Sequence, residues 1–549
     1  MNCTHAPRIL LLAFAALLGI LPLLTSCQDA FPERPNTSVF RYNESASISS
    51  LDPAFARNPQ NIWPTNQLFN GLVQLDDSLM IQPDLAHSWE YNDSSRVYRF
   101  FLRDDVSFHE NPAFAPQKTR KVTAHDFVYS FDRLNDPKIA SPGSWVLHQV
   151  ADYYAESDLV FVVQLKQSFP PFLGILSMRY CSVVPHEAIT YYGKDFRKNP
   201  VGTGPFHFKL WIENTKLVLR KNPFYFEKDS TGVSLPYLEA VAITFLPDKQ
   251  SEFLEFSQGN LDFISGIDQS YKDELLTSSG ALRAKYKEST YMLSIPFLNT
   301  EYIGFYLPND QLEVQSIKLR RAANYGIDRK KMITYLRNGI GIPGTYGFIP
   351  HGMPGAVDHE LYPYDFKKSQ ALVQEFIKEH NKAPKLTIST NSQYLDICEY
   401  IQTELEKVGI EVAIDVMPPA TLRQLKNTGG LELFRGSWVA DYPDAENYLS
   451  LFISDNFTPN GPNYTHFKDP VIDSLYTAAL QSSDLKSRLK IYQAMDARIM
   501  EQAPVIPLYY DMVVRFVHQE VQGLGINPQN FLFLKHVKKT AKSQTKENE

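Results

Sequence analysis

The chain has 549 residues, enough for two to four domains at about 150 residues each. Hydrophobic residues make up 44% and charged residues 21%, an ordinary balance for a globular protein with a large core. The formal net charge of -7 argues against nucleic acid as a partner, because such proteins carry a basic excess. The one basic run, Lys535 to Lys539, leads into a polar terminus whose last residues, 541–549, are expected to be a disordered tail.

Read from its start, the chain has Arg8, an apolar run from Ile9 to Leu24, then Thr25-Ser26-Cys27. The run is shorter than the ~20 residues a spanning helix needs and fits a signal peptide over residues 1–26. Leu24-Thr25-Ser26-Cys27 resembles the bacterial lipobox, which implies lipidation at Cys27 and an extracytoplasmic, membrane-anchored protein. Residues 27–37, with Gln28-Asp29 and a Pro/Asn-rich stretch, then read as a tether. With Cys3 removed and Cys27 acylated, Cys181 and Cys398 remain. They lie far apart with no CxxC spacing, so both are expected to be small core residues.

Val39–Tyr42 reads as a first strand, and Ser88–Tyr91, Val97–Leu102 and Val106–Phe108 as pieces of a meander separated by Asn92-Asp93 and Arg103–Asp105. Thr123 followed by Asp126 predicts a capped helix with Phe127, Val128 and Phe131 on one face. Strands are predicted at Leu159–Leu165, Phe206–Leu210 and Val241–Phe245. Beyond Pro308 the texture changes. Helical spacing over 317–324, 328–337, 368–379 and 394–408 alternates with strands at 386–389, 412–416 and 431–434, the rhythm of an α/β domain. A long helix is predicted over 484–502 and a buried strand over 505–510. Gly339 to Gly344 matches GxGxxG by letters, but it follows a helix and carries Pro343, so it does not open a dinucleotide site. No P-loop, HExxH or GxSxG occurs and the 13 His residues do not cluster, so no catalytic residue, metal or cofactor is expected.

Nine stretches in fixed order resemble the extracytoplasmic solute-binding proteins of ABC importers, family 5, the oligopeptide/dipeptide-binding type. They include Leu51-Asp52-Pro53, Gly71-Leu72-Val73, Pro83–Glu90, Tyr98–His109, Asp126–Leu134, Asn199–Phe206, Lys318–Arg329, Trp438–Asn447 and Ala503–Tyr510. The resemblance implies an α/β, two-lobed periplasmic-binding-protein-like fold of type II with an inserted domain and a central ligand cleft. Its first lobe would be built from 38–72, 200–303 and 509–540, its inserted domain from 73–199 and its second lobe from 304–508. It implies a monomer that captures peptides and hands them to a permease.

Carried over residue by residue, the resemblance makes Asp441 the partner of the peptide ammonium and Arg435 a partner for its carboxylate. It gives Gly436, Ser437 and Trp438 a place on the second-lobe wall, with Asn70, Gly71 and Leu72 on the first. Asn70 stands where an acidic residue is common. Carriers of nickel chelates, haem or oligosaccharides, a ligand sensor, and an exported hydrolase remain alternative readings of the same scaffold.

Overall fold

A computed structural model describes residues 38–482 and 484–540. The signal peptide, Cys27 with its tether, and the tail from 541 lie outside the described residues. In chain order the main strands are β1 (Val39–Asn43), β2 (Ala86–Asn92), β3 (Val97–Leu102), β4 (Val150–Ser157), β5 (Val160–Leu165), β6 (Phe206–Ile212), β7 (Lys216–Lys221) and β8 (Ala240–Thr244). They are followed by β9 (Phe263–Ser265), β10 (Thr290–Phe305), β11 (Lys385–Thr390), β12 (Glu411–Val416), β13 (Leu433–Val439) and β14 (Val505–His518).

Three sheets organise these strands. The first lobe carries a sheet of order β1-β8-β7-β6, in which only the β1–β8 pair is parallel. The inserted domain is the antiparallel sheet β2-β3-β5-β4, covered by the helix Ala124–Asn135. That helix starts where the sequence placed it, because Thr123 and Asp126 form a capping box. Val106–Phe108 does not become a strand; Ser107 makes a single bridge to Lys121. The inserted domain shares one apolar core with the first lobe, with Phe127 and Phe161 in the same cluster as Phe40, Leu219 and Val241.

The third sheet has the order β9-β14-β10-β13-β11-β12, and short Ile342–Pro343 pairs with β14. The GxGxxG-like stretch is thus a helix-to-strand turn, with Gly339 and Gly341 at positive φ. Around this sheet the second lobe repeats parallel β–helix units, whose helices stop at left-handed residues such as Asn381 and Gly409. Cys181 and Cys398 are free and buried, as expected of core residues.

β10 and β14 join the lobes. β10 pairs with β14 near β9 in the first lobe and, from Asn299 to Phe305, pairs with β13 in the second. At about 3.4 Å per residue, the 16 residues of β10 and the 14 of β14 are long enough to reach from one lobe into the other. The chain divisions expected at 303–304 and 508–509 fall inside these strands, so the lobes are joined by continuous β-structure and not by loops. The register between the two strands breaks between Pro296 and Thr300, where Pro296 has no N–H to give the ladder. No described helix is long and apolar enough to cross a membrane.

Candidate functional site

A cavity of about 620 Å³ opens where the three bodies meet. The first lobe contributes Arg57, Trp63 and Phe531, the inserted domain Trp145 and Tyr180, and the second lobe Trp438 to Asp441. A second hollow of about 660 Å³ lies around Lys216, Thr244 and Asn260. It is lined by first-lobe residues alone, so it is not the cleft.

Asp441 sits just beyond the end of β13. Its side chain is exposed to the cavity it lines. Burial pushes its carboxyl up to about 6, against the lowering effects of Asn447 and the Arg57 charge. Its ion-free position is built by neighbours that the sequence reading missed. Asn447 Oδ1 accepts from the Trp438 indole at 2.9 Å and from the Asp441 N–H at 3.2 Å, tying these two cavity residues together. From the first lobe, Gln529 Nε2 donates to the carbonyls of Ala440 at 3.2 Å and Asp441 at 3.1 Å. Asp444 is occupied elsewhere: its carboxylate accepts from the N–H of Glu446 at 2.9 Å and lies 3.7 Å from the Arg488 guanidinium.

Trp438 lines the cavity. β13 runs five residues further than the strand predicted at 431–434. It pairs with β10 along its whole length, but with β11 only through Leu433 and Phe434. The β11-side edge of residues 435–439 therefore has no strand partner among the described residues. The side chain of Ser437 is exposed and does not line the cavity; Gly436 is covered by Tyr302, whose ring a Cβ there would meet at 2.7 Å.

Arg435 is a correction. Its guanidinium is buried, pairs with the buried carboxylate of Glu301 and lies over the Tyr394 ring. Glu301 also accepts from Asn299 at 2.9 Å. Burial pushes Glu301 up and the Arg435 charge draws it back, so the two neutralise each other inside the sheet. Arg435 is thus committed before any ligand arrives. Glu301 lies on β10, a strand the sequence reading did not predict, so nothing signalled the pairing.

The Asn70–Leu72 segment is the second correction. Asn70 is buried, donates to Asp84 at 2.8 Å and accepts from Thr203 at 3.0 Å. The Gly71 N–H donates to Asp84 at 3.1 Å, the Gly71 carbonyl accepts from Leu85, and the Leu72 carbonyl accepts from Ala86. None of the three residues lines the cavity. The buried Asp84, pushed up to about 6, explains why an amide stands at position 70: a second carboxylate would repel it. The first-lobe wall is supplied instead by residues 57–66 and 529–533.

Two lobes bridged by long strands, with a cavity between them and an inserted domain over it, define a solute-binding protein of type II. Residues 80–460 match the bacterial extracellular solute-binding proteins, family 5 (middle). The chain belongs to that family of extracytoplasmic binding proteins, which serve ABC importers and take peptides or related ligands. Among similar proteins are the probable deoxycholate-binding periplasmic protein YgiS of Escherichia coli, 27% identical over 96% of this chain and 98% of that one. The periplasmic oligopeptide-binding protein OppA of Salmonella typhimurium is 25% identical over 90% of this chain and 91% of that one. The fold matches the Helicobacter pylori protein DppA solved with the peptide STSA, with TM-score 0.75, 24% identity, and 91% and 98% of the two chains covered.

Proposed function

We propose that the protein captures a peptide in this cavity and delivers it to a membrane permease, as a monomer held to a bacterial membrane by lipid on Cys27. The observation that carries the peptide reading is convergence: an open carboxylate, Asp441, and the end of a strand edge without a strand partner among the described residues, at Trp438 and Val439, adjoin one cavity between two lobes. A peptide ammonium meets the carboxylate, and its main chain adds to the strand edge, which is blind to side chains. Two amide atoms of cavity residues, Asn66 Nδ2 and Gln529 Oε1, are also buried with no partner, a donor and an acceptor near the path of a peptide group. A ligand touching both lobes stabilises the closed form, because it binds that form better than the open one.

The test is mass spectrometry of ligand released from the purified full chain, followed by calorimetry with the peptide found and its N-acetyl form. Recovery of peptide, with the acetyl form bound at least tenfold more weakly, supports the reading. The name of the YgiS relative and the aromatic wall of Trp63, Trp145, Phe297 and Phe531 favour a second reading, an amphipathic acid. Release of a sterol-like acid, or binding of deoxycholate and of no peptide, would replace the first reading with the second. Loss of acyl mass in Cys27→Ser tests the anchor.

A further inference from the structure

Three charged side chains line the cavity: Asp441, Arg179 and Arg57. Arg179 is buried and spent on the carbonyl oxygens of Phe69 at 2.9 Å and Ser177 at 3.2 Å. Arg57 is different. Its side chain is exposed in the cavity, and its guanidinium makes no hydrogen bond or ion pair among the described residues.

Its backbone is firmly placed. The Arg57 N–H donates to Phe55 at 2.8 Å, and the turn Pro53–Phe55 is capped by Asp52, which accepts from Ala54 at 3.0 Å. Asp52 is in turn paired with Arg133 of the inserted domain at 2.7 Å. The helix Pro59–Leu68 starts two residues after Arg57, with Asn58 as its N-cap, and its positive end adds charge of the same sign. Arg57 and Asp441 are both exposed and line the same cavity, together with Tyr180 of the inserted domain. Arg435, the cation the family resemblance offered for a carboxylate, is already neutralised by Glu301.

We propose that Arg57 is the anion-binding residue of the cavity, and that the ligand is a compact zwitterion, a short peptide with both ends free, its ammonium on Asp441 and its carboxylate on Arg57. The proposal rests on the peptide reading given above and narrows it. A guanidinium fork fits a carboxylate with two parallel hydrogen bonds. Each anchor belongs to a different lobe, so a ligand with both charges ties the lobes together, while one with a single charge holds only one wall. Both anchors line one cavity of about 620 Å³, the size of a small-ligand pocket and not of a long groove, which favours a short peptide.

Calorimetry of the full chain with trialanine, trialanine amide and N-acetyl-trialanine tests this, using wild type, Arg57→Gln and Arg57→Lys. Arg57→Gln is expected to weaken trialanine by about tenfold to a hundredfold and the amide by less than about threefold. Arg57→Lys should recover part of the loss, as a point charge without the fork. Thermal unfolding should be the same in all three proteins, since the side chain contacts nothing that folding needs. Equal losses for trialanine and its amide, or no loss for either, would overturn the role of Arg57 and leave the peptide reading standing. Failure of wild type to bind any of the three peptides would sink the peptide reading and this proposal with it.

Discussion

Arg435 and Asp441 stand six residues apart on one strand and the loop that follows it, yet the fold treats their charges in opposite ways. Arg435 lies within β13, where Ile303 opposes it on β10 and the Glu301 carboxylate cancels its charge in the interior. Asp441 lies past the strand end, where no cation among the described residues pairs with it and its side chain is exposed in the cavity. Proximity in sequence says little about whether a charge is available. What decides is whether an oppositely charged group is already buried within reach. A charge that the core has paired is a structural element, and a charge left open in a cleft is free to meet a ligand.

The sharpest way to break this contrast is Glu301→Gln. It leaves the Arg435 charge buried without its counter-ion and should cost about 3 kcal/mol or more in denaturant unfolding. The same variant should leave affinity for a free-ended peptide within about threefold of wild type, because the pair does not line the cavity. Asn70→Ala extends the comparison to the other misjudged wall. It strips hydrogen bonds from buried Asp84 and Thr203, so stability should fall by about 2 kcal/mol while affinity holds, measured by unfolding and calorimetry.

Asp441→Asn reverses that pattern, with unfolding little changed and affinity for a free-amine peptide reduced about tenfold or more in calorimetry. The pH dependence of the wild type follows from the carboxyl being held near 6. Its folded pKa lies above the unfolded value, so the native state binds the proton more tightly. The contribution of this group to stability is therefore greatest at low pH and is lost as pH rises through about 6. Ligand ammonium needs the ionised form, so affinity moves the other way and rises over the same window. Titrations at pH 5 and pH 7.5 check the opposed slopes, and Asp441→Asn should abolish the affinity slope. The smallest effect is expected for Ser437→Ala. Its side chain is exposed outside the cavity, so stability and affinity should both stay within about 0.5 kcal/mol.

Much of the fold was legible because it depends on local signals. Thr123 and Asp126 announced a helix start, and the βαβ rhythm after Pro308 announced the second lobe. β10 was not legible, although it holds the sheet together. Pro296 and the polar run Asn299-Thr300-Glu301 interrupt its pattern, and those residues are tolerated because neighbouring elements satisfy them: Asn299 bonds Glu301, and Thr300 donates to the Phe348 carbonyl. The site divides the same way. Asp441 and Trp438, singled out by a motif, line the cavity, whereas Asn447, Gln529 and Arg57 are placed beside it only by the fold.

The sequence alone determined the family and the α/β character, because these follow from residue order and local periodicity. Which charges remain free was decided by tertiary structure. Glu301 is 134 positions from Arg435, and Arg57 is drawn from a different lobe than Asp441. Electrostatic neutralisation acts through space over a few ångströms, so only the folded chain settles which side chains are paired inside it and which are left for a ligand.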